Sequence, residues 1–229
     1  MKILKEKLDK LSEKWKSLRN YEYFVNDGIL NSQIWNMTHP RILFLLKETA
    51  DDFTQIAETE IDITKGNGSH FWWNICYWKY LINSISNGEK PEFINQNELP
   101  EVKFNNNILD AIAYVNVKKN CENKTKTDDS DILRYAQQDK DLLAEQIDLI
   151  NPHIVFCSNI TFISYQQIYE NELTQINSIC YRHKDRLILH FRHPSYFQIS
   201  GGRETHFNDL KNALLKNGNV LSQFNWEKN

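Results

Sequence analysis

Apolar and polar positions along this chain follow two distinct rhythms. In the first, Leu4, Leu8, Leu11, Trp15 and Leu18 recur at three- and four-residue steps with lysines and glutamates between them, which predicts an amphipathic helix over about 3–19. In the second, short unbroken apolar runs appear: Ile42 to Leu46, Ala111 to Val115, Ile154 to Cys157 and Leu187 to Phe191. Runs of this length without alternation predict strands buried on both faces, as in a parallel sheet. Helical patterns separate them. An aromatic-rich stretch at about 70–84, capped by Ser69, carries Phe71, Trp72, Ile75, Trp78, Tyr80 and Leu81. A long helix starts with Asp128 or Ser130 as cap and runs to about 149, where Asn151-Pro152 stops it. Two more begin near Asn159 and Arg203, the last ending at Gly218. The stretches 48–69, 85–107 and 120–127 read as irregular or exposed connections, with Gly66-Asn67-Gly68 as a turn.

Strands alternating with helices predict an α/β fold: three layers, α/β/α, around a short, mainly parallel sheet of four strands, near 41–47, 111–117, 153–157 and 186–191. At 229 residues this is a single domain, 1–229, with the amphipathic helix at its start. The amphipathic stripe is shorter than a coiled coil needs, so it is expected to pack on its own domain, with a partner-binding seam as the alternative.

Composition narrows the class. Apolar residues make up 41%, charged residues 25% and aromatics 12%, which argues against disorder. The net charge of −3 supplies no global field for nucleic acid, although a local patch can still serve. The four cysteines, Cys76, Cys121, Cys157 and Cys180, are scattered without a C-x-x-C pair, so no metal is expected and reduced, buried thiols are. With no signal-peptide pattern and no apolar run approaching membrane-spanning length, the expectation is a soluble, cytoplasmic protein without a membrane partner.

Three of the apolar runs end in polar tips. Ile42 to Leu46 opens onto Lys47-Glu48-Thr49, the second run ends at Asn116 with Lys118 and Lys119, and the fourth ends at Arg192-His193-Pro194-Ser195. Loops at the carboxyl ends of parallel strands gather at one edge, where ligands bind. A carboxylate, a carboxamide and an imidazole are thereby expected to converge. Each has a plainer reading as well: Glu48 as a helix cap or partner of Lys47, Asn116 as a strand terminator, His193 as a turn residue. Thr64 to Ser69 is glycine-rich but lacks phosphate-loop order. Glu48 with Asp51 and Asp52 would suit a helix start as well as a cation.

The segment 42–50, Tyr114-Val115-Asn116-Val117-Lys118-Lys119, the stretch from Glu145 to Cys157 and His193-Pro194-Ser195 occur in an order and spacing that resemble the uracil-DNA glycosylase superfamily, and more closely a poorly characterised branch of it, over about residues 40–215. The resemblance implies that Glu48 activates water, since departure of a base leaves positive charge on the sugar that a carboxylate stabilises. It implies that Asn116 reads the edge of an extruded base, and that His193 stabilises the departing base anion. Lys47, Phe53, Ser195 and Tyr196 join the substrate-binding set, Phe53 as a stacking ring and the last two from a loop that grips the DNA backbone. Phe71 or Trp72 is an alternative stacking ring, and Arg192, Arg203, Lys118 and Lys119 are candidate phosphate contacts. Leu46 stands where the superfamily has a glycine and Thr49 where it often has a proline. No cofactor is implied. The expected activity is a DNA glycosylase-like hydrolase removing uracil or another deaminated base from DNA. The alternative is a catalytically silent module on the same scaffold, binding nucleic acid or a small nucleobase-containing ligand, and a further one is an enzyme acting on a free nucleoside or nucleotide.

Overall fold

The computed structural model describes residues 2–21, 23–48, 70–99, 111–120, 128–196 and 200–226. Within them the chain is α/β, with seven α-helices and a mixed sheet of seven strands. In chain order these are α1 Lys2–Arg19, β1 Gly28–Ile29, α2 Ser32–Met37, β2 Ile42–Leu46, α3 His70–Ser86, β3 Ile112–Asn116, α4 Asp129–Gln138, α5 Lys140–Ile150, β4 Ile154–Cys157, α6 Asn159–Ile168, β5 Thr174–Gln175, β6 Cys180–His183, β7 Arg186–His190 and α7 Gly202–Leu215.

The sheet order is β1-β3-β2-β4-β7-β6-β5. Its centre, β3-β2-β4-β7, is parallel, while β1 pairs antiparallel with β3 at one edge, and at the other β6 pairs antiparallel with β7 and β5 with β6. The four-strand expectation is therefore corrected to seven: the three extra strands are two, two and four residues long and leave no apolar run to read. The side chains of the central strands divide by parity. Ile42 and Phe44 face a layer containing α3 and α7, whereas Leu43 and Leu45 face α1, α4, α5 and α6. Phe44, Phe156 and Trp78 stack in the first layer, with ring centroids 4.9 Å apart for the phenylalanines and 5.2 Å from Trp78 to Phe156. Stacking of this kind adds about 0.5–1.5 kcal/mol per pair beyond the buried area.

The long helix expected over 128–149 is two helices meeting at Asp139, which is 1% exposed. Its carboxylate accepts from Arg19 Nε at 2.5 Å and Tyr21 Oη at 2.8 Å, so the junction is held from α1. Asp128 is the N-cap, accepting from Ser130 N at 3.2 Å, and Asn151 closes α5 in the left-handed region, φ 50°. Cys76, Cys157 and Cys180 are buried, while Cys121, Ser69 and the 49–69 connection lie outside the described residues. No helix among the described residues is long and apolar enough to cross a membrane.

Under α1 sits a fully buried ion pair. Lys119 Nζ contacts Asp27 Oδ1, with side chains 1% and 0% exposed, and lies 5.2 Å over the Trp15 ring. Gln146 Nε2 donates to the same Asp27 oxygen at 2.9 Å. Desolvation pulls the Lys119 ammonium down from the usual lysine value, and the Asp27 carboxylate opposes that pull. Removing one partner of such a pair strands the other, which costs about 3–5 kcal/mol. Lys119→Met is expected to lower urea-measured stability by about that much, and adding Asp27→Asn should recover part of the loss; a Lys119→Met variant within about 1 kcal/mol of the parent would refute this view of the pair.

Candidate functional site

Parallel pairing brings the carboxyl ends of β2, β3, β4 and β7 to one edge, and chain order reverses between β2 and β4. Backbone bonds continue past the strands there: Lys118 N donates to Lys47 O and Phe191 N to Cys157 O, at 2.9 and 2.8 Å. At that edge a cleft of about 1090 Å³ opens, lined mainly past β4 and β7 and by Lys47 past β2. One wall is the first turn of α6, through Ser158, Asn159 and Ile160; the opposite wall is α7, through Asp209, Asn212, Ala213 and Lys216. Lys47, His190, Arg192, His193 and Tyr196 line it between these walls.

His193 lines this cleft. Its Nδ1 accepts the backbone N–H of Ser195 at 3.1 Å. A backbone amide can only donate, so Nδ1 must offer its lone pair and Nε2 carries the hydrogen. Burial, reinforced by the charge of Lys47, lowers the imidazole pKa to about 4. At neutral pH the ring is therefore an uncharged donor. The Phe71 ring of α3 lies 5.9 Å away at a 50° tilt.

The turn carrying His193 is pinned from beneath. Asn74, 2% exposed on α3, donates Nδ2 to Pro194 O at 2.6 Å and to Tyr196 O at 3.2 Å. Ser195 is exposed, and its part in the described contacts is its backbone amide. The Tyr196 side chain stands exposed on the cleft rim.

Full charges in the lining are partly matched. Lys47 Nζ reaches Asp129 Oδ1 at 2.5 Å and Arg192 Nη2 reaches Asp209 Oδ2 at 2.7 Å, while Arg192 Nη1 is buried with no hydrogen-bond partner among the described residues. The first turn of α6 directs the positive end of its helix dipole into the same space. His190 stacks flat on Phe162, centroids 4.2 Å apart, and its Nε2 meets Asn159 Oδ1 at 3.2 Å. Burial lowers its pKa, so it too favours the neutral form.

The carboxylate and the carboxamide point elsewhere. Glu48 Oε2 lies 3.3 Å from Lys118 Nζ, which also sits 3.4 Å from Asp131 Oδ2. Asn116, 1% exposed, donates Nδ2 to Asp27 Oδ2 at 3.0 Å, and its own backbone N–H goes to the same oxygen at 2.7 Å. Its Oδ1 is buried with no hydrogen-bond partner among the described residues. Neither residue is in the lining of this cleft. The three strand tips therefore share an edge, and of the described residues expected at the site His193, Lys47, Tyr196 and Arg192 line this common space while Glu48, Asn116 and Ser195 do not.

Lys118 and Lys119 are each 1% exposed and ion-paired, which corrects their expected role as phosphate contacts. Arg192 lines the cleft, and Arg203 Nη1 meets Gln96 Oε1 at 3.5 Å outside its lining. Phe53 lies outside the described residues. Phe71 and Trp72 meet edge to face, centroids 4.6 Å apart, as half-buried neighbours of the core rather than open stacking faces. Among the described residues no group of three or more histidine, cysteine or acidic side chains is placed to hold a metal ion. Sequence reasoning missed Asn74, Asp129 and the α7 wall. The buried asparagine within the aromatic run Phe71-Trp72-Trp73-Asn74 was the one available signal.

A histidine held neutral in the folded state, with a folded pKa of about 4 against about 6.5 unfolded, adds stability above pH 6.5 that is lost as pH falls toward 4. His153, lowered to about 3 by burial, acts in the same direction over a wider window. Stability measured by denaturant at pH 7 and pH 4.5 is expected to fall, and His193→Gln to flatten part of the fall. A His193 ring that titrates near 6.5 by NMR would contradict the burial argument.

Comparison of the chain with protein-family models, with curated proteins and with solved structures returns no match, and the functional reading rests on the geometry above.

Proposed function

We propose that the carboxyl-edge cleft binds a nucleobase-containing ligand, so that this chain is a nucleic-acid- or nucleotide-binding module of glycosylase-like architecture. The observation that carries the reading is the placement of His193, a neutral Nε2–H donor, in a cleft at the carboxyl edge of the parallel strands. A base edge presents carbonyl and ring-nitrogen acceptors that such a donor can meet without desolvating a charge. The cleft, at about 1090 Å³, sits at the upper end of small-ligand sites and has room for a sugar and phosphate beside a base. The first turn of α6, Arg192 and Lys216 supply positive potential for that phosphate. The exposed Tyr196 ring offers a face for stacking.

Hydrolysis of the N-glycosidic bond is the second reading, favoured by the same His193 donor, which suits a departing base anion. It requires a carboxylate beside the sugar. Glu48 would have to leave Lys118 or act through a water to serve there, and Asn116 would read a base through its Oδ1. These commitments place binding ahead of turnover.

Fluorescence anisotropy with labelled single- and double-stranded uracil-containing oligonucleotides is the test, followed by alkaline cleavage of any abasic sites. Binding without nicking, weakened about tenfold or more by His193→Ala, is the expected result. Nicking by the parent that Glu48→Gln abolishes would favour the hydrolase. No binding of oligonucleotide, nucleoside or nucleotide would end both readings. For a polynucleotide ligand, affinity should also drop steeply between 50 and 200 mM salt, and for a single nucleotide much less.

A further inference from the structure

We propose that Asn74 is the positioning residue of the His193 turn: its two carboxamide hydrogens, committed to the carbonyls of Pro194 and Tyr196, hold the loop in the form that offers the His193 Nε2–H. The carbonyls it grips belong to the residues on either side of Ser195, whose amide N–H in turn occupies His193 Nδ1. One side chain thus fixes both ends of the segment that selects the histidine tautomer. A carboxamide suits the task because a single nitrogen carries two hydrogens for two acceptors. Aspartate, of the same shape, would set a carboxylate against two carbonyl oxygens.

Helix α3 contributes twice on one face. Phe71 and Asn74 stand three residues apart, so the ring beside His193 and the amide beneath its turn move as one unit. Asn74 is buried beside Trp73 and Ile75, which belong to the core, so the support is anchored in packed structure rather than in the loop. The charged group that bears on the imidazole is Lys47 from the end of β2, and from α3 the near neighbour is the uncharged Phe71 ring. Loss of the Asn74 bonds frees the turn, admits water to the ring and moves its titration toward that of an ordinary histidine. The bearing on ligand binding rests on the cleft reading above; the positioning does not.

The experiment follows the His193 ring by NMR across pH in four proteins: the parent, Asn74→Asp, Asn74→Ser, which keeps one donor, and Ile75→Val, a buried change one residue along α3. The parent is expected to titrate near pH 4. Both Asn74 variants should titrate higher, Asn74→Asp by about one pH unit or more, a tenfold gain in proton affinity, while Ile75→Val stays with the parent. An unshifted His193 in either folded Asn74 variant overturns the proposal. If neither variant folds, the parent decides: the Asn74 side-chain amide hydrogens must be slow to exchange and coupled to the Pro194 and Tyr196 carbonyls, and fast exchange overturns it. Oligonucleotide binding measured on the same variants separates the two ideas. A shifted His193 with unchanged affinity removes the cleft reading and leaves the positioning role standing.

Discussion

Parallel strands cannot be joined by a tight turn, and most of this molecule follows from that constraint. Each return from the carboxyl end of one central strand to the amino end of the next must cross a face of the sheet, and helices α3 to α6 lie along these crossings. The consequence is one-sided: β2, β3, β4 and β7 all end at the same edge, and the chain must leave that edge four times. At this edge, among the described residues, a cleft is lined by residues past β2, β4 and β7. The chemistry of the site is therefore whatever the chain carries just past each strand.

This explains why the layers and the central strands were legible. Ile42 to Leu45 and Ile154 to Cys157 are buried on both faces, so they are apolar without interruption, and a pattern of that kind belongs to little else. The edge strands escape for the opposite reason. Gly28–Ile29 and Thr174–Gln175 are too short to show a period, and Thr174 and Gln175 are exposed. The break at Asp139 was hidden because both helices continue one apolar stripe across it. What sets the break is a pair of donors more than a hundred residues away, Arg19 and Tyr21.

The site was legible by residue type but not by allegiance. Sequence identifies Glu48, Asn116 and His193 as polar groups at strand ends, and all three are there. It cannot say which partner reaches each one first. Asp27, in a stretch without helical or strand pattern, takes the amide nitrogen of Asn116; Lys118, which reads as a surface cation, takes Glu48. His193 keeps its outward nitrogen because its partner is a backbone amide two residues along, a contact set by local turn geometry. Short-range partners leave a trace in sequence and long-range ones do not.

The junction at Asp139 gives the first helix a meaning beyond packing. Its carboxylate sits inside the protein and is answered by Arg19 and Tyr21 at the end of α1 and just past it, while Lys14 of α1 meets Glu145 of α5 at 2.8 Å. A chain shortened by its first twenty-one residues would keep every strand of the sheet, yet the Asp139 carboxylate at the bend between two helices would lose both Arg19 and Tyr21. Such a fragment invites swelling of that whole layer, so the opening helix behaves as a keystone rather than as trim.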